Sequence, residues 1–287
     1  MTTPTDPARY AGADLRLAAV DMDGTLLDDD KNFPPGMEEL LDLMDERGVT
    51  FAPASGRQVW TLIDMFPGRP GMTVIGENGG IVMRDGVEVS SHPVDTPTVR
   101  EVIRLVRDAT SGPDGIDGGL VMCGKQFAYV ERTDDRFVDG VMPYYHRTKR
   151  VEDQSAIIDA IEAGEIDDAI VKLAVYVIGP VEPLAQATLA NFADTHQYAI
   201  SGANWADLQI RGVDKGSAVR DLQRFLGVER AQTAVFGDAG NDLSMMSEGD
   251  LSFAMANASA DVIEAARFVA PSNIEAGVAQ VLRTLLG

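Results

Sequence analysis

Apolar residues in the first 85 positions of the chain follow two alternating spacings. Continuous apolar runs at 15–21, 49–53 and 72–75 predict buried strands, and helical spacing at 36–47 and 57–66 predicts helices between them. Strands separated by helices in this way favour a parallel sheet that is flanked by helices. The N-terminal part of the chain is therefore predicted to have an α/β architecture.

The middle of the chain, residues 86–210, has a different pattern, and the first pattern returns after it. Strands at 119–124, 127–130 and 169–178 and helices at 99–109 and 184–194 predict an inserted α+β domain. Residues 1–85 and 211–287 are then expected to form one discontinuous α/β domain with a Rossmann-like parallel sheet. The returning elements are a helix at 217–226, a strand at 233–236, a helix at 242–246 and a strand at 251–254.

Composition and charge narrow the classes of function. The 287 residues include 45 Asp and Glu against 24 Lys and Arg, which gives a formal net charge of −21 and argues against nucleic acid as a partner. No stretch approaches about 18 consecutive apolar residues, and the N-terminus is polar, so we expect a cytoplasmic protein without a membrane span or secretory signal. A single cysteine, Cys123, excludes an internal disulfide.

Two carboxylates, Asp21 and Asp23, end the first predicted strand in the segment DMDGTL. Open α/β sheets bind ligands at the carboxyl ends of their strands. There one carboxylate can attack a phosphate ester and form an acyl phosphate, while the second protonates the leaving oxygen and then activates water. An acidic turn on the protein surface would explain the same residues equally well. A calcium loop fits poorly, because Gly24 has the wrong offset and no Glu stands at the twelfth position.

Two further segments offer groups that hold phosphate. Ser55, Gly56 and Arg57 follow the strand at 49–53, where a hydroxyl and backbone amides at the start of a helix can bind phosphate oxygens. Lys215 opens the helix after the insert, and its ammonium group can neutralise a phosphate and its transition state. Taken alone, Ser-Gly is more often a helix cap and turn, and a single lysine is usually a solvated one.

The segment GDAGND, residues 237–242, follows an apolar strand and places Asp238, Asn241 and Asp242 close together. Oxygen ligands of this kind suit a hard cation such as Mg²⁺. Glycine-rich turns with Asp and Asn are also common as plain loops. The order of the four segments, each at the end of a predicted strand, favours one shared site over four unrelated turns.

Taken together, DMDGTL, ASGR, DKG and GDAGND resemble the four motifs of the haloacid dehalogenase (HAD) superfamily, in that order. The segment ENGG at 77–80, AMANA at 254–258 and NIEAGV at 273–278 resemble the Cof-type hydrolases, which carry a large type II cap between the second and third motifs. The inserted domain at 86–210 has the place of that cap. The resemblance covers nearly the whole chain. In the cap it depends on the size of the insert and the order of its strands and helices more than on residue identities.

The resemblance implies a role for each motif residue. Asp21 is expected to be the nucleophile and a metal ligand, and Asp23 the acid and base whose backbone carbonyl also meets Mg²⁺. Lys215 completes the catalytic set, and Asp238 completes the metal ligands with Asp242 in support. The residues expected to bind phosphate or substrate are Ser55, Gly56, Arg57, Asn78, Asn241 and, in the cap, Lys172.

These expectations describe a Mg²⁺-dependent phosphomonoesterase that acts on a small phosphorylated metabolite, such as a sugar phosphate, through an aspartyl-phosphate, with a cap that closes over the substrate. The oligomeric state is expected to be a monomer or homodimer. One alternative is a phosphosugar mutase of the same fold, which returns phosphate to the sugar. Another is a receiver-like binding module that is phosphorylated without turnover, although Asp23 and the large insert argue against it. A fragment of a P-type ion pump is excluded, because membrane segments are missing.

Overall fold

The computed structural model describes residues 3–69 and 71–287. Within them the chain folds into two compact units. The first unit comprises the chain up to Gly56 together with Phe66–Ser90 and Asp214–Gly287, and the second comprises Arg57–Met65 and Ser91–Val213. No helix among the described residues is both long enough and apolar enough to cross a membrane.

The strands and helices of both units are numbered in chain order. The strands are β1 (Leu17–Asp21), β2 (Thr50–Ala54), β3 (Thr73–Gly76), β4 (Ile81–Arg84), β5 (Val87–Ser91), β6 (Gly118–Gly124), β7 (Ala128–Val130), β8 (Thr148–Arg150), β9 (Ile170–Val177), β10 (His196–Gly202), β11 (Trp205–Ile210), β12 (Thr233–Gly237), β13 (Leu251–Met255) and β14 (Phe268–Ala270). The helices are α1 (Met37–Glu46), α2 (Val59–Asp64), α3 (Thr96–Thr110), α4 (Asp135–Val141), α5 (Gln154–Glu162), α6 (Glu182–Ala187), α7 (Lys215–Leu226), α8 (Leu243–Met246), α9 (Ala260–Ala265) and α10 (Gly277–Leu286).

The first unit is built on an eight-stranded sheet with the order β14-β13-β12-β1-β2-β3-β4-β5. The strands from β14 to β3 are parallel, and β1 lies between β12 and β2. Every residue of β1 is buried, as expected for a central strand whose two faces are both covered. The predicted α/β fold class with a parallel sheet is confirmed.

Two strands that were not predicted, β4 and β5, extend this sheet: β4 pairs antiparallel with β3, and β5 is the neighbour of β4 at the edge. The turn between β4 and β5 contains Asp85 and Gly86, both with positive φ (54° and 73°), as two-residue hairpin turns with matching twist require. An Asp-Gly pair is a common sequence signal for a two-residue hairpin turn, so this turn could have been predicted from the sequence. The sheet is therefore mixed at this edge.

The second unit is built on a six-stranded sheet with the order β10-β11-β9-β6-β7-β8. Alternate residues of β9 face opposite sides, so Leu173 and Val175 pack in a core with α3, while Ala174 packs on the other face with Phe137 of α4. The predicted helix at 184–194 is wrong in its extent, because α6 ends at Ala187 and a short 3₁₀ turn, Leu189–Phe192, follows. The hairpin β10–β11 was missed, because much of β10 is exposed and lacks an apolar alternation.

The segment Arg57–Met65, which contains α2, belongs to the second unit by its contacts. The Gln58 side chain exchanges two hydrogen bonds with the backbone of Arg147, at 2.9 and 3.2 Å. The carbonyl of Tyr144 accepts from the Gln58 N–H at 3.1 Å and from the Thr61 hydroxyl at 3.0 Å. The sequence does not predict this attachment. The domain ranges proposed there, 1–85 with 211–287 and 86–210, stay predictions.

Candidate active site

Three carboxylates from two neighbouring strands of the first unit lie together. Asp21 ends β1, and Asp238 follows β12, which pairs with β1 in parallel. Asp242 comes one short turn later. One carboxylate oxygen from each of the three lies within 4.8 Å of the others. The sequence prediction that these acids share one site agrees with this geometry.

Lys215 brings a positive charge to the three carboxylates, and we call these four residues the inner group. The Lys215 side chain is fully buried, and its Nζ lies 2.5 Å from Asp21 Oδ1 and 2.7 Å from Asp242 Oδ1. Lys215 is the first residue of α7, whose start is capped by the Asp214 carboxylate accepting from Ser217 N at 2.8 Å. It therefore enters the site from a helix that follows β11 of the other unit, and the expectation that it follows a strand of the same sheet is wrong.

Hydrogen bonds fix the carboxylates of Asp238 and Asp242. The second oxygen of Asp242 accepts the backbone N–H groups of Asp238 and Ala239, at 3.0 and 3.1 Å. The hydroxyl of Thr25 donates to Asp238 Oδ1 at 3.0 Å. Gly24 has a φ of 84°, and a Cβ there would lie 2.5 Å from Asp238 Oδ2. Glycine is therefore required at this position both for its backbone conformation and for the close approach of Asp238.

Burial and mutual repulsion perturb the acids of the inner group. Burial first, and then the Asp242 carboxylate, raise the pKa of Asp21 to about 8, although Lys215 opposes the shift. Burial and Asp242 also raise the pKa of Asp238. Burial alone would lower the pKa of Lys215, but Asp21 and Asp242 outweigh it, and that pKa is raised. The inner group thus holds more negative charge than one lysine neutralises, which is the electrostatic setting that a bound cation relieves.

Asp23 lies on the same loop as Asp21 but in different surroundings. Its carboxylate is not a member of the three-acid group. Its side chain is 35% exposed, and its Oδ1 lies 2.9 Å from Nζ of Lys31, whose side chain is 57% exposed. We call Asp23 and Lys31 the outer pair. Sequence reasoning predicted Asp23 and missed Lys31, which no motif marks.

The predicted phosphate-binding residues of the first unit are also close to one another. Ser55 is buried directly after β2, and its carbonyl accepts from Asn78 N at 2.9 Å. A Cβ on Gly56 would lie 3.2 Å from the Asn78 amide, so that amide packs over the Ser55–Gly56 turn. The Asn78 amide oxygen accepts from Asn241 Nδ2 at 3.3 Å. These contacts link the second and fourth motifs.

Comparison with known proteins identifies the family. The sequence model of haloacid dehalogenase-like hydrolases matches residues 18–282, which is nearly the whole chain. The chain belongs to this family. The predicted enzyme class, a phosphatase of the haloacid dehalogenase superfamily with Cof-type relatives, is confirmed.

Individual relatives of this haloacid dehalogenase-like hydrolase cover it almost completely. A 5-amino-6-(5-phospho-D-ribitylamino)uracil phosphatase of Escherichia coli (strain K12) is 30% identical over 280 residues, which are 95% of this chain and 96% of that protein. A Bacillus subtilis (strain 168) phosphatase with the same named substrate is 24% identical and covers 93% and 96%. A solved haloacid dehalogenase-like hydrolase from B. subtilis has the same fold, with a TM-score of 0.77, 19% identity and coverage of 94% and 99%.

Two predicted substrate-binding residues of the hydrolase lie in its second unit. Arg57 donates to the Pro143 carbonyl at 3.2 Å, and its guanidinium lies 5.1 Å from the ring centre of Tyr144. Lys172 is a β9 residue that is only 1% exposed, with Nζ 5.5 Å from the ring centre of Tyr145. Both roles stay predictions.

Sequence reasoning missed the polar side chains that support the loop after Asp21. Asn257 Nδ2 donates to the Gly24 carbonyl at 2.8 Å, and Asn273 Nδ2 donates to the Leu27 carbonyl at 3.1 Å. Thr25 was missed as well. All three lie inside segments that carry the family resemblance, so the signal was present, but their partners are set by folding and not by spacing.

Proposed function

We propose that this hydrolase is a Mg²⁺-dependent phosphomonoesterase that works through an aspartyl-phosphate on Asp21. The observation that carries the proposal is the inner group: a buried carboxylate at a strand end, 2.5 Å from a buried lysine and beside two further carboxylates. A phosphoryl group needs a nucleophile and positive charge at one point, and this arrangement supplies the nucleophile and part of the charge.

The donor atoms of the site fit Mg²⁺. Asp21 and Asp238 offer carboxylate oxygens, the ligands this hard cation prefers. Burial first, and then the Asp242 carboxylate, raise the pKa of both acids, so their ionised forms lack compensation that a cation would supply. Asp242 already gives one oxygen to Lys215 and the other to two N–H groups. We therefore propose Asp21, Asp238 and the Asp23 carbonyl as the ligands, with Asp242 as their support. When bound, Mg²⁺ shields the phosphate charge from the attacking carboxylate.

The chain's own residues divide the reaction into two steps. Asp21 attacks phosphorus while the ester bond breaks, and Asp23 gives its proton to the departing alcohol oxygen. Asp23 then takes a proton from water as that water attacks the phosphorus of the acyl phosphate, which frees phosphate and restores Asp21. Lys215 stabilises the charge on the phosphoryl oxygens. Ser55, Gly56, Asn78 and Asn241 are proposed to hold those oxygens.

We propose a small sugar-derived phosphomonoester as the substrate. Support comes from the two relatives named above, phosphatases of 5-amino-6-(5-phospho-D-ribitylamino)uracil, which carries its phosphate on a ribityl chain. Arg57 and Lys172 are the predicted contacts to the remainder of the substrate. The cytoplasmic location and the monomeric or dimeric state stay predictions from the sequence.

The test is phosphate release from a panel of phosphomonoesters that includes 5-amino-6-(5-phospho-D-ribitylamino)uracil, with Mg²⁺ or with EDTA. Wild type is compared with Asp21→Asn and with Asp261→Asn, which changes an exposed carboxylate on α9 in the same way. We expect release that requires Mg²⁺, is unchanged in Asp261→Asn, and falls by about 10⁴-fold or more in Asp21→Asn. Turnover near the wild-type rate in Asp21→Asn would refute the proposal. Transfer between sugars without free phosphate would indicate the mutase instead.

A further inference from the structure

Lys31 lies beside Asp23 in a loop that is closed by hydrogen bonds. Asp28 closes the loop, accepting from Asn32 N and Asn32 Nδ2 at 2.8 and 3.2 Å, while its own N–H donates to the Asn32 carbonyl at 3.0 Å. The Lys31 N–H donates to the Asp28 carbonyl at 3.0 Å. Asn273 anchors the base of the loop by donating to Asp29 Oδ1 at 3.2 Å. The backbone position of Lys31 is therefore fixed by several independent hydrogen bonds, while its exposed side chain reaches Asp23.

The backbone of Lys31 has a φ of 66°, in the left-handed region that favours glycine. A residue with a Cβ is uncommon there, and such strain tends to persist where the side chain has a task. Glycine would relieve the strain but would remove the ammonium group from Asp23. The ion pair itself does not account for the strain, because pairs as exposed as Asp23–Lys31 stabilise a fold only weakly.

The geometry places the Lys31 ammonium near the leaving group. A general acid must come within about 3 Å of the oxygen that it protonates. Because Lys31 Nζ lies 2.9 Å from Asp23 Oδ1, it is then within about 6 Å of the ester oxygen. An oxygen on the carbon next to the ester carbon can therefore come within hydrogen-bond reach of this ammonium group.

We propose that Lys31 is a specificity-determining residue that binds a carboxylate or hydroxyl oxygen on the carbon next to the ester carbon. The inference depends on the proposed function, since it assumes that Asp23 protonates the leaving oxygen. The inference adds a substrate class: phosphomonoesters that carry an oxygen acceptor on the second carbon, counted from the ester oxygen. In a chain with a net charge of −21, a local cation is the simplest way to accept an anionic leaving group.

The test uses three esters that differ only at the second carbon: ethyl phosphate, 2-hydroxyethyl phosphate and phosphoglycolate. Values of kcat/KM are measured for wild type, Lys31→Met, Lys31→Arg and the control Lys149→Met, which removes an exposed cation of the second unit. Methionine keeps the side-chain length and the same backbone strain. If turnover is slow, inhibition constants of the three esters against p-nitrophenyl phosphate hydrolysis give the same comparison.

We expect the kcat/KM ratio of phosphoglycolate to ethyl phosphate to fall by about tenfold or more in Lys31→Met, the size of one charge-assisted hydrogen bond. The hydroxyethyl ester should show a smaller fall, and Lys31→Arg should restore most of both. An unchanged ratio, whether all three rates fall together or none does, would overturn the proposal. Loss of the proposed function is recognised separately, by p-nitrophenyl phosphate hydrolysis that survives in Asp21→Asn.

Discussion

Asp21 and Asp23 are two residues apart on one loop, but they differ in nearly every physical respect. The Asp21 side chain is 8% exposed and faces a fully buried lysine, whereas that of Asp23 is 35% exposed and faces a lysine that is 57% exposed. The inner group is held by buried contacts whose loss leaves charges without compensation. The outer pair is held by a contact that water and substrate can replace at little cost.

This difference matches the two tasks that a phosphomonoesterase has to perform. A nucleophile gains from a fixed position and from fixed charges around the phosphoryl group, which the interior provides. An acid that gives a proton to an alcohol and then takes one from water has to exchange with solvent and with different leaving groups, which the exposed position permits. In the proposed mechanism, Asp21 and Asp23 divide these two tasks between carboxylates only two residues apart.

After the loss of Asp21 itself, the largest expected effect comes from removing the buried cation. Lys215→Met should lower kcat/KM by about 10³-fold for alkyl and p-nitrophenyl phosphate alike, because the lost charge stabilises the phosphoryl group and not the leaving group. Steady-state rates with both esters measure this, and circular dichroism checks that the variant is folded. Lys149→Met is the matched control, with rates expected near wild type. A loss confined to the alkyl ester would contradict the assignment of Lys215 to the phosphoryl group.

The outer acid should show the opposite dependence on the leaving group. Asp23→Asn cannot protonate an alcohol, so we expect a loss of about 10²-fold with alkyl phosphates. With p-nitrophenyl phosphate the loss should be smaller, since nitrophenolate leaves without a proton. Values of kcat/KM for the two esters are compared with those of Lys215→Met, because kcat/KM reports the transfer to Asp21 and not the later attack of water, in which Asp23 serves both esters alike. Equal losses with both esters would mean that Asp23 acts on the phosphoryl group as the inner residues do.

The Mg²⁺ concentration that activity requires should also distinguish the inner group from the outer pair, with an effect smaller than the rate losses above. Asp238→Asn removes a proposed ligand and should raise the Mg²⁺ concentration for half-maximal activity by about tenfold or more. Asp23→Asn keeps the backbone carbonyl and should raise it far less. Titration of activity with Mg²⁺ in both variants measures the difference. If Asp23→Asn shifted the Mg²⁺ requirement as much as Asp238→Asn, the outer carboxylate would itself have to be a ligand.

The sequence predicted the inner group well because its acids stand at the ends of apolar strands. Asp21 and Asp238 end or follow β1 and β12, so the parallel pairing of those strands brings them together wherever the rest of the chain goes. Lys215 was predicted at the start of the helix after the insert, but the way in which its ammonium group approaches Asp21 and Asp242 was not. That approach depends on how the chain returns to the first unit, which local patterns do not encode.

The outer pair and the second unit were predicted less well, for physical reasons. Lys31 reaches Asp23 through a left-handed backbone conformation and a loop closed by Asp28, neither of which follows from residue spacing. Lys172 stands in a strand whose alternation could place it on either face, and the structure buries it. Exposed strands such as β10 lack the apolar signal on which strand prediction depends.

The smallest expected effect is on stability, and it tests the charge balance of the inner group. In EDTA the folded protein holds a proton on Asp21, whose pKa is raised to about 8, while the unfolded chain releases it near pH 4. Folding thus takes up a proton between those pH values, so the wild type should lose stability as the pH rises from 5 to 8. Asp238, whose pKa is also raised, contributes with the same sign.

Asp21→Asn should reduce this decline, because each pH unit over which folded Asp21 keeps its proton and the unfolded chain does not lowers stability by about 1.4 kcal/mol. Its thermal midpoint should therefore fall by several degrees less than that of wild type across the range, since about 1 kcal/mol corresponds to about 2–4 °C in domains of 150–250 residues. Asp261→Asn is the control and should keep the wild-type slope. Mg²⁺ should reduce the slope in wild type, because a cation at the inner group favours the ionised acids. Thermal unfolding at pH 5 to 8, with EDTA and with Mg²⁺, measures all three. Parallel slopes for wild type and Asp21→Asn in EDTA would mean that Lys215 already compensates Asp21 fully, and the need for a cation would then lie with the substrate phosphate alone.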